Sequence, residues 1–239
     1  MSKKALLVLE RPWDSLRDSP LQLSMVPFFQ SLERLDGNMS VYRADFFERE
    51  GFRAALDHLM SHHHERSILY VAAHGDGRHL AGNDSAPKVR LSTVLLEIFA
   101  QAAWNRNIEG FVLGSCFLGN RGELIGKIFK GAGLRWAVAY TAAVEWLPSA
   151  LIDMQIVSKM AAASPQDFAS IDKMTALFAD ALSLFNPYSV MASDERESPV
   201  FLKDAIRIWV RRSGQGNHGV NDITEQVAEQ AWELEEESA

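Results

Sequence analysis

The stretch Ile68-Leu-Tyr-Val-Ala-Ala-His-Gly-Asp-Gly77 sets an apolar run directly before a His-Gly pair. A second stretch, Ile108-Glu-Gly-Phe-Val-Leu-Gly-Ser-Cys116, is mostly apolar and ends at the only cysteine of the chain. Neither run alternates between apolar and polar residues, which is typical of strands covered on both faces, as in a parallel sheet. The two stretches therefore predict two buried strands, each followed by a reactive side chain.

Three more runs extend this pattern along the chain. Residues 5–9 and 136–140 are also apolar, whereas residues 39–44 are less apolar and are predicted to lie nearer an edge of the sheet. Each run is rich in residues that favour strands and is bounded by polar residues or glycine. We therefore predict a sheet of at least these five strands.

Helical patterns lie between the strands. Residues 48–60 and 92–104 carry apolar residues at helical spacing, and Ser92 is a favourable N-cap for the second helix. A further helix is predicted to begin at Asn120-Arg-Gly-Glu123, which matches a capping box. Alternating strands and helices predict an α/β fold: a three-layer sandwich with a central, mostly parallel sheet flanked by helices.

The C-terminal part of the chain follows a different pattern. Residues 201–210 are too mixed to assign, and residues 222–237 predict a short acidic helix. We therefore expect a core at residues 1–163 and a helical C-terminal extension at 164–239, packed on or next to that core. The extension is predicted to begin with a helix at Ser164-Pro165. The apolar face of this helix would be Phe168, Ile171, Thr175, Phe178 and Leu182.

Composition narrows the range of functions. The net charge of −7 argues against nucleic-acid binding, and a single cysteine excludes an intramolecular disulfide or a thiolate zinc site. No run approaches the roughly 18 apolar residues of a membrane span, and residues 5–9 are too few for a signal-peptide core. We expect a cytoplasmic protein with no metal or organic cofactor and no nucleic-acid or membrane partner.

The predicted strands present His74 and Cys116 at the same edge of the sheet, because ligands and catalytic groups gather at the carboxyl ends of parallel strands. If the strands are neighbours, they lie about 4.8 Å apart and the two side chains can meet. His74 would then act as the base that activates the Cys116 thiol. The backbone amides of Gly75 and Cys116 would stabilise the oxyanion of a tetrahedral intermediate.

An apolar block that ends in His-Gly, followed by one that ends in Ser-Cys, resembles the caspase-like (clan CD) cysteine peptidases, and most closely their bacterial CHAT-type members. The resemblance covers roughly residues 5–160. It implies peptide-bond hydrolysis through a Cys116 thioester, with His74 as base and no essential third carboxylate. It also implies cleavage of one specific partner protein, in a bacterial defence or signalling system, and leaves room for an activating partner.

Residues 138–149 resemble the segment that shapes the specificity pocket in that group. Asp76, Glu145 and Asp153 lie in segments that could line such a pocket, and acidic walls would select Arg or Lys before the cut. The alternative is that these three residues are solvated surface acids.

Other sites fit the sequence less well. His62-His63-His64 point in different directions on one helix turn, so a solvated helix end is favoured over a metal site. An α/β-hydrolase elbow needs glycine where Leu118 stands. His79 is interpreted as a surface loop residue, and His218 is kept as a fallback base.

Two other functions remain open. A catalytically silent caspase-like module could bind or regulate a partner. The acidic end at residues 233–237 could serve as a docking element in either the peptidase or the silent module. An acyltransferase could use the same dyad with a second acceptor substrate in place of water.

Overall fold

The computed structural model describes residues 4–12, 24–37, 39–62, 64–82, 87–105, 107–129, 133–193, 198–212 and 219–232. His63, the fallback base His218 and the acidic end at 233–237 lie outside these ranges.

A seven-stranded sheet forms the centre of the molecule, with the strand order β12-β11-β8-β7-β3-β1-β2. The pairs β1–β2, β1–β3, β3–β7 and β7–β8 are parallel, whereas β8–β11 and β11–β12 are antiparallel. The predicted mostly parallel sheet is therefore confirmed, and the run at residues 39–44 does form an edge strand. The strands of this sheet are β1 (Lys4–Glu10), β2 (Met39–Asp45), β3 (Ser67–Ala72), β7 (Ile108–Gly114), β8 (Trp136–Tyr140), β11 (Ile206–Val210) and β12 (Asn221–Asp222).

Two small sheets accompany the central one. A three-stranded sheet follows β3 and holds His74, and a two-stranded sheet lies in the C-terminal part. Their strands are β4 (His74–Gly75), β5 (His79–Ala81) and β6 (Val89–Arg90), and then β9 (Val190–Ser193) and β10 (Pro199–Phe201).

Helices cover both faces of the central sheet and bury separate apolar clusters. Successive residues of β1 alternate between the clusters, with Leu6 and Val8 in one and Leu7 in the other. The first cluster includes residues of α1, α5, α6 and α8, and the second includes residues of α2, α3 and α4. The helices are α1 (Val26–Asp36), α2 (Arg49–Met60), α3 (Leu91–Asn105), α4 (Gly122–Ile128), α5 (Trp146–Ala162), α6 (Ile171–Leu182), α7 (Leu202–Ala205) and α8 (Thr224–Trp232).

Helix starts differ from the prediction at three places. Helix α3 begins at Leu91, so Ser92 lies inside it, and α4 follows a 3₁₀ turn over Leu118–Arg121. The Asn120 amide donates to the Thr141 carbonyl at 2.8 Å and does not cap the helix. The helix predicted from Ser164 divides into a 3₁₀ turn, closed by a capping box between Ser164 and Asp167, and then α6.

The C-terminal part joins the same sheet as the predicted core. Its helices α6 and α8 agree with the expected helical extension, but residues 206–210 form β11, which pairs with β8. Phe178 and Ile208 share one apolar cluster with Val138 of the predicted core. The boundary at residue 163 stays a prediction. Within the described residues, no helix is both long and apolar enough to cross a bilayer.

Candidate active site

Strands β3 and β7 are neighbours in the sheet and run parallel, with Ala72 opposite Gly114. His74 follows Ala72 by two residues, and Cys116 follows Gly114 by two residues. Both residues therefore lie at the carboxyl edge of the sheet, where parallel α/β folds place ligands and catalytic groups.

Gly75 packs directly against the backbone of Cys116. A Cβ added at Gly75 would overlap the Cys116 carbonyl oxygen and lie 2.9 Å from the Cys116 amide nitrogen. Only glycine allows two backbones to approach this closely. The segments that carry the two candidate catalytic residues are thus in van der Waals contact at their backbones.

Ser115 ties the same two segments together. Its buried hydroxyl oxygen accepts a hydrogen bond from the Ala73 amide at 3.1 Å. Ala73, which precedes His74, is therefore hydrogen-bonded to Ser115, which precedes Cys116. Sequence reasoning gave Ser115 no role, and its position before the cysteine was the only signal that could have suggested one.

The loops beyond both residues are also interlocked. Phe117 has a φ of 63°, an uncommon left-handed conformation for a non-glycine residue, and its amide donates to the Ala142 carbonyl at 3.2 Å. Gly77 has a φ of 80°, and a Cβ there would lie 3.5 Å from the Phe117 Cβ. The Arg121 Nε donates to the Gly77 carbonyl at 2.9 Å. The chain after Cys116 is thus held against the turn after His74.

The Cys116 thiol is partly buried, and its Sγ lies 3.9 Å from the Val144 carbonyl oxygen. Burial raises the pKa of the Cys116 thiol, and backbone hydrogen bonding at Val144 and at Cys116 itself opposes this shift only in part. The resting group is therefore a neutral thiol near pH 7, and a base is needed to make it a strong nucleophile. The His74 side chain is exposed to solvent on the neighbouring strand end.

Asp76 caps its own turn. Its carboxylate accepts from the amides of Arg78 at 3.0 Å and His79 at 2.8 Å, and Lys88 Nζ lies 3.0 Å away. Although burial favours the neutral acid, these hydrogen bonds hold the pKa of Asp76 well below its usual range. The structure thus gives Asp76 a clear role in shaping the turn that follows His74.

Glu145 is exposed at the start of α5, directly after Val144, whose carbonyl contacts the thiol. Its amide donates to the Met191 carbonyl at 2.9 Å, which fixes the backbone at this point. The exposed carboxylate of Glu145 thus belongs to the residue next to Val144, whose carbonyl lies beside the thiol.

Asp153 is buried, with 1% of its surface exposed. Its oxygens accept hydrogen bonds from the hydroxyls of Tyr70 at 2.8 Å and Tyr140 at 2.7 Å. Burial raises the pKa of Asp153 to about 7, although both tyrosine hydroxyls lower it. A Cβ at Gly114 would lie 3.2 Å from Asp153 Oδ2. The acid is therefore not a solvated surface residue but lies beneath the strand that leads to Cys116.

Two other histidines lie beside Tyr42 of the edge strand β2. His62 and His64 lie near Tyr42, with ring centroids 6.0 and 4.7 Å from the tyrosine ring. Within the described residues, no group of three or more His, Cys, Asp or Glu side chains could hold a metal ion. The arrangement at the sheet edge is suited to a thiol nucleophile with an imidazole base.

No family model and no curated protein matches the chain. Among solved structures, the chain is similar to a secreted C11 cysteine protease from Bacteroides thetaiotaomicron, iotapain, with 11% identity and a TM-score of 0.51. This match covers 88% of this chain and 67% of that chain. A structure of a secreted C11 cysteine protease from the same organism, in complex with an irreversible peptide inhibitor, matches with 8% identity and a TM-score of 0.46, covering 87% and 66%.

The chain therefore spans about two thirds of the length of the proteases that it resembles. At this level of identity the similarity to iotapain shows the fold, and the predicted caspase-like sandwich is confirmed. The closer resemblance to CHAT-type members stays a prediction.

Proposed function

We propose that the protein is a cysteine endopeptidase with Cys116 as nucleophile and His74 as general base. The observation that carries this proposal is the backbone contact between Gly75 and Cys116 at the carboxyl edge of the sheet. That contact brings Cys116, the only cysteine of the chain, next to the short strand β4, whose first residue is the exposed His74. The similarity of the fold to C11 cysteine proteases supports the same reaction class.

In the proposed reaction, the His74 imidazole takes the thiol proton while Sγ attacks the scissile carbonyl carbon. The carbonyl oxygen becomes an oxyanion, and the amides of Gly75 and Cys116 donate to it. The C–N bond then breaks, and the proton held by His74 leaves with the amine. Water, deprotonated by His74, then attacks the carbonyl carbon of the Cys116 thioester. The C–S bond breaks, the acid product leaves, and His74 returns the proton to Sγ.

For the substrate, we propose a protein cut after Arg or Lys, with Glu145 as the acid that attracts the basic side chain. Glu145 is exposed and follows the residue whose carbonyl contacts the thiol. Asp76 and Asp153 are the other two acids that the sequence predicts for this pocket. We give both a supporting role, since Asp76 is bonded within its own turn and Asp153 is bonded to two tyrosines.

A silent binding module is the second candidate, and the state of the thiol favours it. Cys116 is partly buried and its pKa is raised, as expected for a cysteine that does not react. A cytoplasmic location remains a proposal drawn from composition. A single partner protein as substrate, a role in bacterial defence and an activating partner remain proposals drawn from the family resemblance.

The test is intact-mass analysis of the native protein treated with peptidyl acyloxymethyl ketones that carry Arg, Lys or Asp next to the reactive group. We expect one adduct on wild-type protein with the Arg or Lys probe, and none with Cys116→Ser or His74→Ala. If native protein stays unlabelled with every probe while the denatured protein shows a free thiol, the silent module is the better description.

A further inference from the structure

A cavity of about 570 Å³ lies beside the interlocked loops of the candidate active site. Its walls come from the turn after His74, from the junction of β6 and α3, and from the chain after Cys116. The charged residues that matter for its chemistry are Arg78, Arg90, Arg121 and Lys127, together with one acid, Glu123. The volume lies within the range of small-molecule sites, about 300–1,000 Å³.

The positive charge of this cavity is largely uncompensated. Lys127 Nζ pairs with Glu123 at 2.8 Å. In contrast, no carboxylate within the described part of the chain lies at salt-bridge distance from Arg78, Arg90 or Arg121. Three guanidinium groups that have no carboxylate partner among the described residues thus border one cavity in a protein whose net charge is −7. Repulsion between them is unfavourable unless an anion or solvent offsets it.

Two backbone features fix the cavity in place. The Leu91 amide donates to the Arg78 carbonyl at 2.8 Å, which holds the turn against the start of α3. The Arg121 Nε donates to the Gly77 carbonyl at 2.9 Å, which joins the two catalytic loops along another wall. The N-terminus of α3, a helix of 15 residues, lies at this wall and adds positive potential from the helix dipole.

We propose that this cavity binds a small anion with two or more phosphate groups. Planar guanidinium groups form paired hydrogen bonds to phosphate oxygens, and three of them call for more negative charge than one phosphate carries. The ligand would contact both the turn after His74 and the chain after Cys116. This proposal does not depend on the proposed peptidase activity.

The proposal is tested by isothermal titration calorimetry of tripolyphosphate into Cys116→Ala protein at about 0.15 M ionic strength, where surface charges are screened over about 8 Å. The inactive variant makes the result independent of catalysis. We expect saturable binding of one tripolyphosphate per chain. The double substitution Arg78→Gln/Arg90→Gln should weaken binding at least about tenfold, since charge-assisted hydrogen bonds are lost. Both arginines are exposed, and an unchanged melting temperature would show that the fold is intact.

The matched control is Arg49→Gln/Arg53→Gln, which removes the same charge from exposed positions of α2. Its affinity should stay within about twofold of the parent, because distant surface charges are screened. Arg90→Lys keeps the charge but loses the planar guanidinium, and should bind more weakly than the parent and more tightly than the double variant.

A parallel titration with ATP distinguishes two sources of the phosphate chain. Equal affinity for ATP and tripolyphosphate would show that the cavity recognises the phosphate chain alone. Much tighter binding of ATP would show that it recognises a nucleotide. Absence of saturable binding for both, or equal affinities in the cavity variant and its matched control, would overturn the proposal.

Discussion

Ser115 accepts a hydrogen bond from the amide of Ala73 at 3.1 Å, so the residues that precede Cys116 and His74 are joined directly. Ser115 and Ala73 are buried, with 2% and 1% of their surfaces exposed. The hydrogen bond lies at the end of the β3–β7 pair, where regular strand pairing has stopped. It therefore extends the register of the sheet as far as the candidate dyad.

Removing this bond should loosen the site. Ser115→Ala leaves the buried Ala73 amide without its acceptor, which should lower the free energy of unfolding by about 1–3 kcal/mol. Urea denaturation measures this change. Ser31→Ala is the control, because the exposed Ser31 hydroxyl donates only to the Pro27 carbonyl, and should cost no more than about 0.5 kcal/mol. Equal stabilities for both variants would show that the Ser115 bond contributes nothing.

Gly75→Ala should disrupt the dyad more than the fold. The new methyl group would overlap the Cys116 carbonyl and must push the two segments apart. We expect labelling of Cys116 by the matching peptidyl probe to slow about a hundredfold, since small misplacements have effects of that size. Gly126→Ala is the matched control, because no atom lies within 4 Å of a Cβ added there. A Gly75→Ala protein that labels at the wild-type rate would contradict the proposed geometry.

Glu145→Gln should change the choice of substrate without affecting the nucleophile. Loss of the exposed carboxylate should slow labelling by the Arg probe about tenfold, while a small, uncharged thiol reagent should react at an unchanged rate. Competition between Arg and Asp probes, followed by mass spectrometry, gives the ratio directly. Glu225→Gln, an exposed acid on α8, is the control. An unchanged preference for the Arg probe would remove Glu145 from the pocket.

Asp153 should make stability depend on pH. Burial raises the pKa of Asp153 from the ordinary value of 3.8 for an aspartate to about 7 in the folded protein. Between pH 3.8 and about pH 7, Asp153 is therefore protonated in the folded protein and ionised in the unfolded chain. The stabilising contribution is fully present below the unfolded pKa and is lost as the pH rises through about 7.

Unfolding of wild type and Asp153→Asn at about pH 5 and pH 7 measures this effect. Wild type should lose on the order of 2 kcal/mol more than the variant over that interval, since each pH unit corresponds to about 1.4 kcal/mol. Asp172→Asn, at an exposed position, should behave like wild type. Parallel pH profiles for wild type and Asp153→Asn would mean that Asp153 is ionised in the folded protein.

The central strands and the position of His74 and Cys116 could be predicted from sequence because both depend on local patterns. An apolar run that ends in a polar residue places that residue at a strand end, and β3 and β7 turned out to be neighbours. The environment of Asp153 could not be predicted, because its partners Tyr70 and Tyr140 are 83 and 13 residues away. Nothing near Asp153 in sequence marks it as buried.

The strand β11 was missed for a related reason. Residues 206–210 follow the four-residue helix α7, so neither periodicity extends far enough to be recognised. The antiparallel pairing with β8 arises from the tertiary fold, because β8 offers an open backbone edge beside β7. Residues 201–210 could therefore not be assigned from sequence, and the predicted helical extension also contributes strands to the central sheet.

The position of β11 also bears on how the chain tolerates proteolytic cleavage. A chain truncated after residue 163 would lack β11 and would leave unpaired those backbone N–H and C=O groups of β8 that face away from β7. An exposed, apolar strand edge of this kind is a template for intermolecular pairing and aggregation. The sheet edge that holds the candidate dyad and the C-terminal strands are therefore expected to fold, and to be degraded, as one cooperative unit.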